Sequence, residues 1–197
     1  MNNIEDLSFS IQNLQEIFKE NSGKFPNEIV HLSDNYDKIY NVLSNSFSNY
    51  NNQVSLIYGF PGFGRKSAID YALSKMKMEK KHLNKIYIDA KIFCEENSIV
   101  NIFLKQLQQQ NSIKNKKNIN DFEEFFAWFK EEKLNVCLVL IIDNIEELVT
   151  IKRQTVLYRI LEWLRYDNSR VILFGITTNI MFSDLLEKRV KSRFSSQ

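Results

Sequence analysis

The stretch that decides the fold is Val54-Ser-Leu-Ile-Tyr58-Gly59-Phe-Pro-Gly62-Phe-Gly64-Arg65-Lys66-Ser67. Val54 to Tyr58 is a short apolar run with Asn-rich sequence before it and glycine after it, the pattern of a buried strand. Gly59 to Gly64 is a glycine-bearing turn, and Ser67 to Met78 carries a helical pattern. A strand, a glycine turn and a helix, in that order, make the setting of a phosphate-binding loop. The glycines let backbone N–H groups turn inward, and the helix N-terminus adds unpaired donors and a partial positive charge. The usual spacing is G-x-x-x-x-G-K-[S/T]. Counted from Gly59 and Gly64, Arg65 takes the lysine position and Lys66 the hydroxyl position. A loop one residue longer would use Lys66 and Ser67 instead. Arg65 keeps the positive charge but on a broader fork. Lys66 at the hydroxyl position removes a magnesium ligand. A glycine-rich turn that holds no ligand fits the same residues.

Working outward, Lys85 to Ala90, Val136 to Ile142 and Val171 to Ile176 are further apolar, β-rich runs. Helical patterns lie between them. One begins at Asp34, a predicted N-cap, and carries Ile39, Val42, Leu43 and Phe47. Others run over Ile92 to Leu107, from an Asp121 cap through Phe122, Phe125, Phe126 and Phe129, over Arg153 to Arg165, and over Met181 to Lys191. Gln108 to Asn120 is low in complexity and polar, and reads as a surface loop. Strands alternating with helices predict an α/β fold on a parallel sheet with right-handed crossovers. Two parts are expected: a helical extension over residues 1–33, with Ile11, Leu14, Ile17 and Phe18 on one face, and a core over residues 34–197. The chain stops soon after its last helix, so the sheet is expected to lack a final strand.

Composition narrows the function classes. The chain has 197 residues, 44% hydrophobic and 13% aromatic, which excludes disorder throughout. Its net charge of +2 is too small to predict nucleic-acid binding by itself. Two cysteines, Cys94 and Cys137, make no disulfide framework, and His31 and His82 stand without neighbours at metal-ligand spacing. The longest apolar run is far short of the roughly 20 residues that span a bilayer, so no membrane partner is expected.

Three further places carry chemistry. Leu138-Val-Leu-Ile-Ile-Asp143-Asn144 is an apolar strand ending in an acid, the form in which such folds position magnesium beside a bound nucleotide. The following position, where a second acid would orient the attacking water, is Asn144. An amide is no base, so little or no hydrolysis is expected here. Glu146 and Glu147 come one turn later and are expected to face solvent. Gly175-Ile-Thr177-Thr178-Asn179 is a polar cluster at the carboxyl end of a strand, where open parallel sheets bind ligands. Thr177 fits a sensor of the terminal phosphate, and a plain Thr/Asn turn fits equally. Arg189 and Arg193 are spaced to share one helix face. They make an anion site or a solvated basic helix end.

Together the glycine loop, the Asp143 strand, Phe174-Gly-Ile-Thr177, Gln154-Thr-Val-Leu-Tyr158 and Leu185-Leu-Glu-Lys-Arg-Val-Lys-Ser-Arg-Phe-Ser195 resemble AAA+ ATPases of the replication-initiator group. Within it they resemble the subunit 4 line of the eukaryotic origin recognition complex. The resemblance covers roughly residues 35–197. It implies an AAA+ P-loop NTPase three-layer sandwich, here without the family's lid and winged-helix domains. It implies a nuclear protein that joins the other subunits, subunit 1 above all, on double-stranded origin DNA and helps to load the replicative helicase. Gly59, Gly62, Gly64, Arg65, Lys66, Ser67, Asp143, Asn144 and Thr177 would cradle ATP, with Mg2+ held at Asp143 through the nucleotide. Arg189 and Arg193 would act in trans as arginine fingers on the ATP of subunit 1. Lys91 to Lys117 would hold the DNA-gripping insertion, with Lys105, Lys114, Lys116 and Lys117 as phosphate contacts. The rival classes are an autonomous ATPase of clamp-loader or chaperone type and a monomeric nucleotide switch.

Overall fold

The computed structural model describes residues 33–79, 83–93, 95–110, 119–131, 137–149, 154–165 and 170–195. Residues 1–32 of the predicted extension, His31, His82, Cys94, Lys114, Lys116 and Lys117 lie outside the described residues. In chain order the elements are α1 (Ser33–Asn49), β1 (Gln53–Tyr58), α2 (Arg65–Met78), β2 (Leu83–Asp89), α3 (Glu96–Gln109), α4 (Phe122–Glu131) and β3 (Cys137–Asp143). A 3-10 turn (Ile145–Val149), α5 (Gln154–Trp163), β4 (Val171–Thr177), a second 3-10 turn (Phe182–Leu185) and α6 (Lys188–Ser195) complete it.

The four strands form a parallel sheet in the order β1-β4-β3-β2. β3 and β4 are inside the sheet and every residue of both is buried. That is why they read as unbroken apolar runs and not as alternating ones. Alternation still assigns each side chain to a face. Leu138, Leu140, Ile142, Val171 and Leu173 join α3, α4 and α5 in one core. Cys137, Val139, Ile141, Ile172, Phe174 and Ile176 join α1 and α2 in the other. The result is three layers, helices on both faces of one sheet. The first core is rich in aromatic rings: Phe126 stacks on Trp163 at 4.8 Å, and Phe125 meets the same indole edge-on at 5.7 Å. In the second core, burial pushes the Cys137 thiol up to about 12, so it stays protonated.

β2 is an edge strand, and α3 covers its outer side. Gln106 accepts the N–H of Tyr87 at 2.8 Å and donates to its carbonyl at 2.7 Å. Gln110 does the same for Lys85, at 2.9 and 2.6 Å. Four residues of helix advance about 6 Å and two of strand about 6.6 Å, so the two spacings match. This clamp explains one correction. The helix runs to Gln109, past the predicted start of a loop at Gln108, and Ile119 near the end of that expected loop is buried.

Other boundaries also move. Asp34 lies inside α1, which begins at Ser33, and α2 begins at Arg65, before the expected Ser67. α3 starts at Glu96, after a turn in which the Asp89 carbonyl accepts the N–H groups of Ile92 and Phe93. Asp121 does cap α4, accepting the N–H of Glu124 at 2.8 Å. The expected last helix over Met181 to Lys191 is broken. A 3-10 turn ends at Leu185, Leu186 is extended (φ −77°, ψ 135°), and α6 then runs from Lys188 to Ser195.

Candidate nucleotide site

The sheet order sets the site. β4 lies between β1 and β3, so the loop after β1 and the acid ending β3 meet across the carboxyl end of β4. Gly62 (φ +85°) and Gly64 (φ +71°) adopt left-handed backbone that side chains disfavour. The base of the loop is tied down where Gly59 N–H donates to Thr177 O at 3.3 Å. The first bond of α2 runs from Ala68 N–H to Gly64 O, so the amides of Arg65, Lys66 and Ser67 precede any intrahelical acceptor. The start of α2 at Arg65 fits the shorter count of the loop, which puts Lys66 at the motif's hydroxyl position. A cavity of about 450 Å³ adjoins the loop between α1 and β1, lined by Lys38, Val42, Tyr58, Phe63 and Arg65 among others.

The two basic residues point differently. Arg65 donates from its guanidinium to the Thr177 carbonyl at 3.0 Å. Lys66 reaches across the sheet end, placing Nζ 2.6 Å from Asp143 Oδ2 and 4.8 Å above the Tyr87 ring. Tyr87 donates its hydroxyl to the same Oδ2 at 2.9 Å, and Asn144 N–H donates to Oδ1 at 3.1 Å. Burial pushes the Asp143 carboxyl up, but the Lys66 and Tyr87 bonds outweigh it and hold the group below the usual carboxylate range. The bonds to Asp143 and Tyr87 raise Lys66 above its ordinary value, against the opposing effect of burial.

Asn144 (φ +51°) donates from its side-chain amide to Asp89 Oδ1 at 2.9 Å. Glu146, expected to face solvent, is turned inward. Its Oε1 accepts the N–H and hydroxyl of Thr178 at 3.3 and 3.0 Å, and its Oε2 is buried with no hydrogen-bond partner. Thr177 is buried, and its hydroxyl accepts Asn179 N–H at 3.0 Å. Its contribution to the loop is its carbonyl. Ser67 is exposed, one residue beyond Lys66.

Arg189 and Arg193 share one face of α6, away from the glycine loop's residues in sequence but ordered by α5. Arg193 donates to Glu162 Oε2 from Nη2 at 2.7 Å and from Nε at 3.2 Å, and its guanidinium lies 3.9 Å above the Tyr158 ring. Arg189 is more open, 49% exposed, with Glu187 on Nε at 2.7 Å. Lys105 is exposed on α3.

The donor set suits a phosphate better than a metal. The amides of Arg65, Lys66 and Ser67 open the helix without intrahelical acceptors, beside two basic side chains. The carboxylate that would serve a divalent ion has an ammonium on one oxygen. Among the described residues, no group of three or more His, Cys, Asp or Glu could hold a metal, and no helix is long and apolar enough to cross a membrane.

A three-layer parallel sheet with a glycine loop and an acid at the end of an inner strand defines the P-loop nucleotide-binding class. Residues 55–197 match the model of the ATPase family associated with various cellular activities (AAA), and the chain belongs to that family. Similar curated proteins include origin recognition complex subunit 1 of Plasmodium falciparum, 31% identical over 150 residues, covering 73% of this chain and 12% of that protein. Subunit 4 of Pongo abelii is 29% identical over 150 residues, covering 71% of this chain and 34% of that one. The chain thus spans 12% and 34% of the length of these two relatives. Solved structures of the same fold include the Aeropyrum pernix ORC2 protein in its ADPNP-ADP complexes, with TM-score 0.67, 14% identity and coverage of 87% and 47%. The Drosophila ORC bound to DNA gives TM-score 0.65, 15% identity and coverage of 88% and 48%. Both of these curated relatives are origin recognition complex subunits.

Proposed function

We propose that this chain is a subunit of an origin recognition complex, of the subunit 4 kind, that hydrolyses no ATP of its own and serves a neighbour's. It works in the nucleus on double-stranded origin DNA, within the assembly that loads the replicative helicase. The observation that carries the reading is Asn144. It occupies the place of the water-orienting acid, and its amide is spent on Asp89 at 2.9 Å. The position after Asp143 therefore supplies an amide and no carboxylate to act as base. Arg189 and Arg193 supply charge to the ATP of subunit 1. Arg189, about half exposed, reaches outward, and Arg193 holds the helix face on Tyr158 and Glu162. An arginine brought in trans stabilises the charge of the transition state. Exposed Lys105 and the lysines after it contact DNA phosphates, giving salt-dependent affinity without sequence reading.

The test is the reconstituted complex with Arg189→Ala. Its ATPase rate is expected to fall by about 10³. An unchanged rate sinks the arginine-donor role.

A second reading, an ATPase active by itself, is favoured by one observation: Glu146 turns its carboxylate in toward Thr178 with one buried oxygen unpaired. That reading predicts turnover by the isolated chain that is lost in Glu146→Gln.

A further inference from the structure

At the end of β3 the cation on Asp143 is one the chain supplies itself. In the motif's ordinary chemistry the hydroxyl after the lysine ligates magnesium, and the acid of the inner strand helps to hold that ion. Here both halves of that arrangement are joined directly: Lys66 Nζ is 2.6 Å from Asp143 Oδ2. The seat is built from three elements. α2 brings the ammonium, β3 the carboxylate, and β2 the Tyr87 ring 4.8 Å beneath it, whose hydroxyl donates to the same oxygen. Magnesium needs oxygen ligands at about 2.0–2.1 Å in near-octahedral array. An oxygen already taken by an ammonium and a phenol offers neither the lone pair nor the charge balance for it.

The geometry also leaves the ammonium useful. Asp143 is 8% exposed on its side chain, whereas Lys66 is 53% exposed. One side of the ammonium is thus fixed on the buried acid and the other opens beside the loop. An ammonium has three donors, and with Asp143 and Tyr87 as partners one remains for an incoming phosphate. Arg65 next to it adds a second positive charge. The family's usual lysine and magnesium together supply three, so binding here should be weaker but free of metal.

We propose that the Lys66 ammonium takes the place of the divalent metal ion at this site, so that the glycine loop accepts a nucleoside di- or triphosphate without magnesium. The proposal rests on the loop being a nucleotide site and is independent of the arginine donation.

The test is equilibrium binding of ADP and ATP to the full chain, in magnesium and in excess EDTA. Wild type is expected to bind equally in both, within about twofold. Lys66→Ser is expected to bind about tenfold more weakly in EDTA than in magnesium, because it restores the metal ligand and removes the built-in cation. Manganese EPR with ADP gives a second readout: an immobilised signal in Lys66→Ser and none in wild type. A wild type that loses tenfold or more on chelation overturns the proposal. So does a wild type that binds no nucleotide in either condition, since the pair then closes the site. Neither result touches the arginine role, which is read on a neighbour's ATP in the assembled complex. Should Lys66→Ser fail to fold, the wild-type comparison alone decides.

Discussion

The side-chain oxygen of Gln154 accepts the backbone N–H of Glu187 at 2.8 Å, across 33 residues of chain. Its amide nitrogen donates to the carbonyls of Val149 at 2.7 Å and Leu185 at 3.2 Å. One buried glutamine thus joins the first 3-10 turn, the second 3-10 turn and the start of α6. It also explains why a helix-favouring sequence breaks at Leu186: a tertiary bond takes the amide that a continuous helix would use. Gln154→Ala leaves three backbone groups short of a partner. It is expected to lower unfolding free energy by about 1–3 kcal/mol in urea titration. Amide exchange at the start of α6 should quicken with it; unchanged exchange there means that Gln154 does not hold the junction.

The Gln106 and Gln110 clamp makes a second prediction. An exposed edge strand is a template for pairing with another chain. Replacing both glutamines by Ala uncovers the polar groups of Lys85 and Tyr87 along β2. The double variant should lose about 1–3 kcal/mol and aggregate faster on warming, followed by light scattering. A variant that is less stable but scatters no more than wild type would show that the clamp stabilises the strand without guarding it.

These two contacts mark where sequence reading stops. Parallel strands covered on both faces write themselves as apolar runs, so Val54 to Tyr58 and Val171 to Ile176 were legible to within one residue or so. The glycine loop and Asp143 were legible because their order along the chain is itself the signal. Gln106 and Gln110 sit in a polar, repetitive stretch, and nothing local says which strand they clamp. Alternation puts Lys85, Tyr87 and Asp89 on one face of β2. Only the register, which pairs Asp89 with Asp143, brings Tyr87 within reach of that acid. Glu146 turns inward because its segment, Ile145–Val149, is a 3-10 turn with about three residues per turn, which a helical period of 3.6 does not describe. The Lys66 to Asp143 pair was not legible, because nothing local to the loop says that its lysine reaches across the sheet end to that acid.

That pair has a pH signature. Asp143 is held below its ordinary value, so its stabilising effect is present above an unfolded-state pKa of about 3.9 and is lost as pH falls through the still lower folded value. Lys66 is held above its ordinary value, so its effect is full below about 10.4 and is lost only as pH rises through the higher folded value. Both act between about pH 5 and pH 9. Lys66→Met should therefore be destabilised most in that window, by about 1 kcal/mol given how exposed the lysine is. The gap from wild type should narrow as pH falls below about 4, where the unfolded chain's carboxylate takes up its proton and the folded one follows at lower pH. Urea midpoints at neutral and acid pH measure it. An equal gap at both would show that the loss comes from packing and not from charge.

The last prediction separates the two arginines. Arg193 is 13% exposed on its side chain, forks onto Glu162, lies over Tyr158, and donates from Nη1 to the Arg189 carbonyl at 2.9 Å. Burial pushes the Glu162 carboxyl up, but Tyr158 and Arg193 outweigh it and hold the group low, so the ion pair is formed at neutral pH. Removing the guanidinium takes away the stack and the pair together. Arg193→Ala should cost about 1–3 kcal/mol of folding stability. Arg189 has one acid partner, Glu187, and stands 5.2 Å from the Tyr158 ring centroid. Exposed pairs of that kind contribute little, so Arg189→Ala should change stability by no more than about 0.5 kcal/mol. Denaturant titration of both variants beside wild type decides this. If Arg189→Ala proves as damaging as Arg193→Ala, the outer arginine is a strut of the fold, and a fall in the complex's ATPase rate on its loss says nothing of a neighbour's nucleotide. If it melts with wild type, the same fall reports the charge that α6 carries outward.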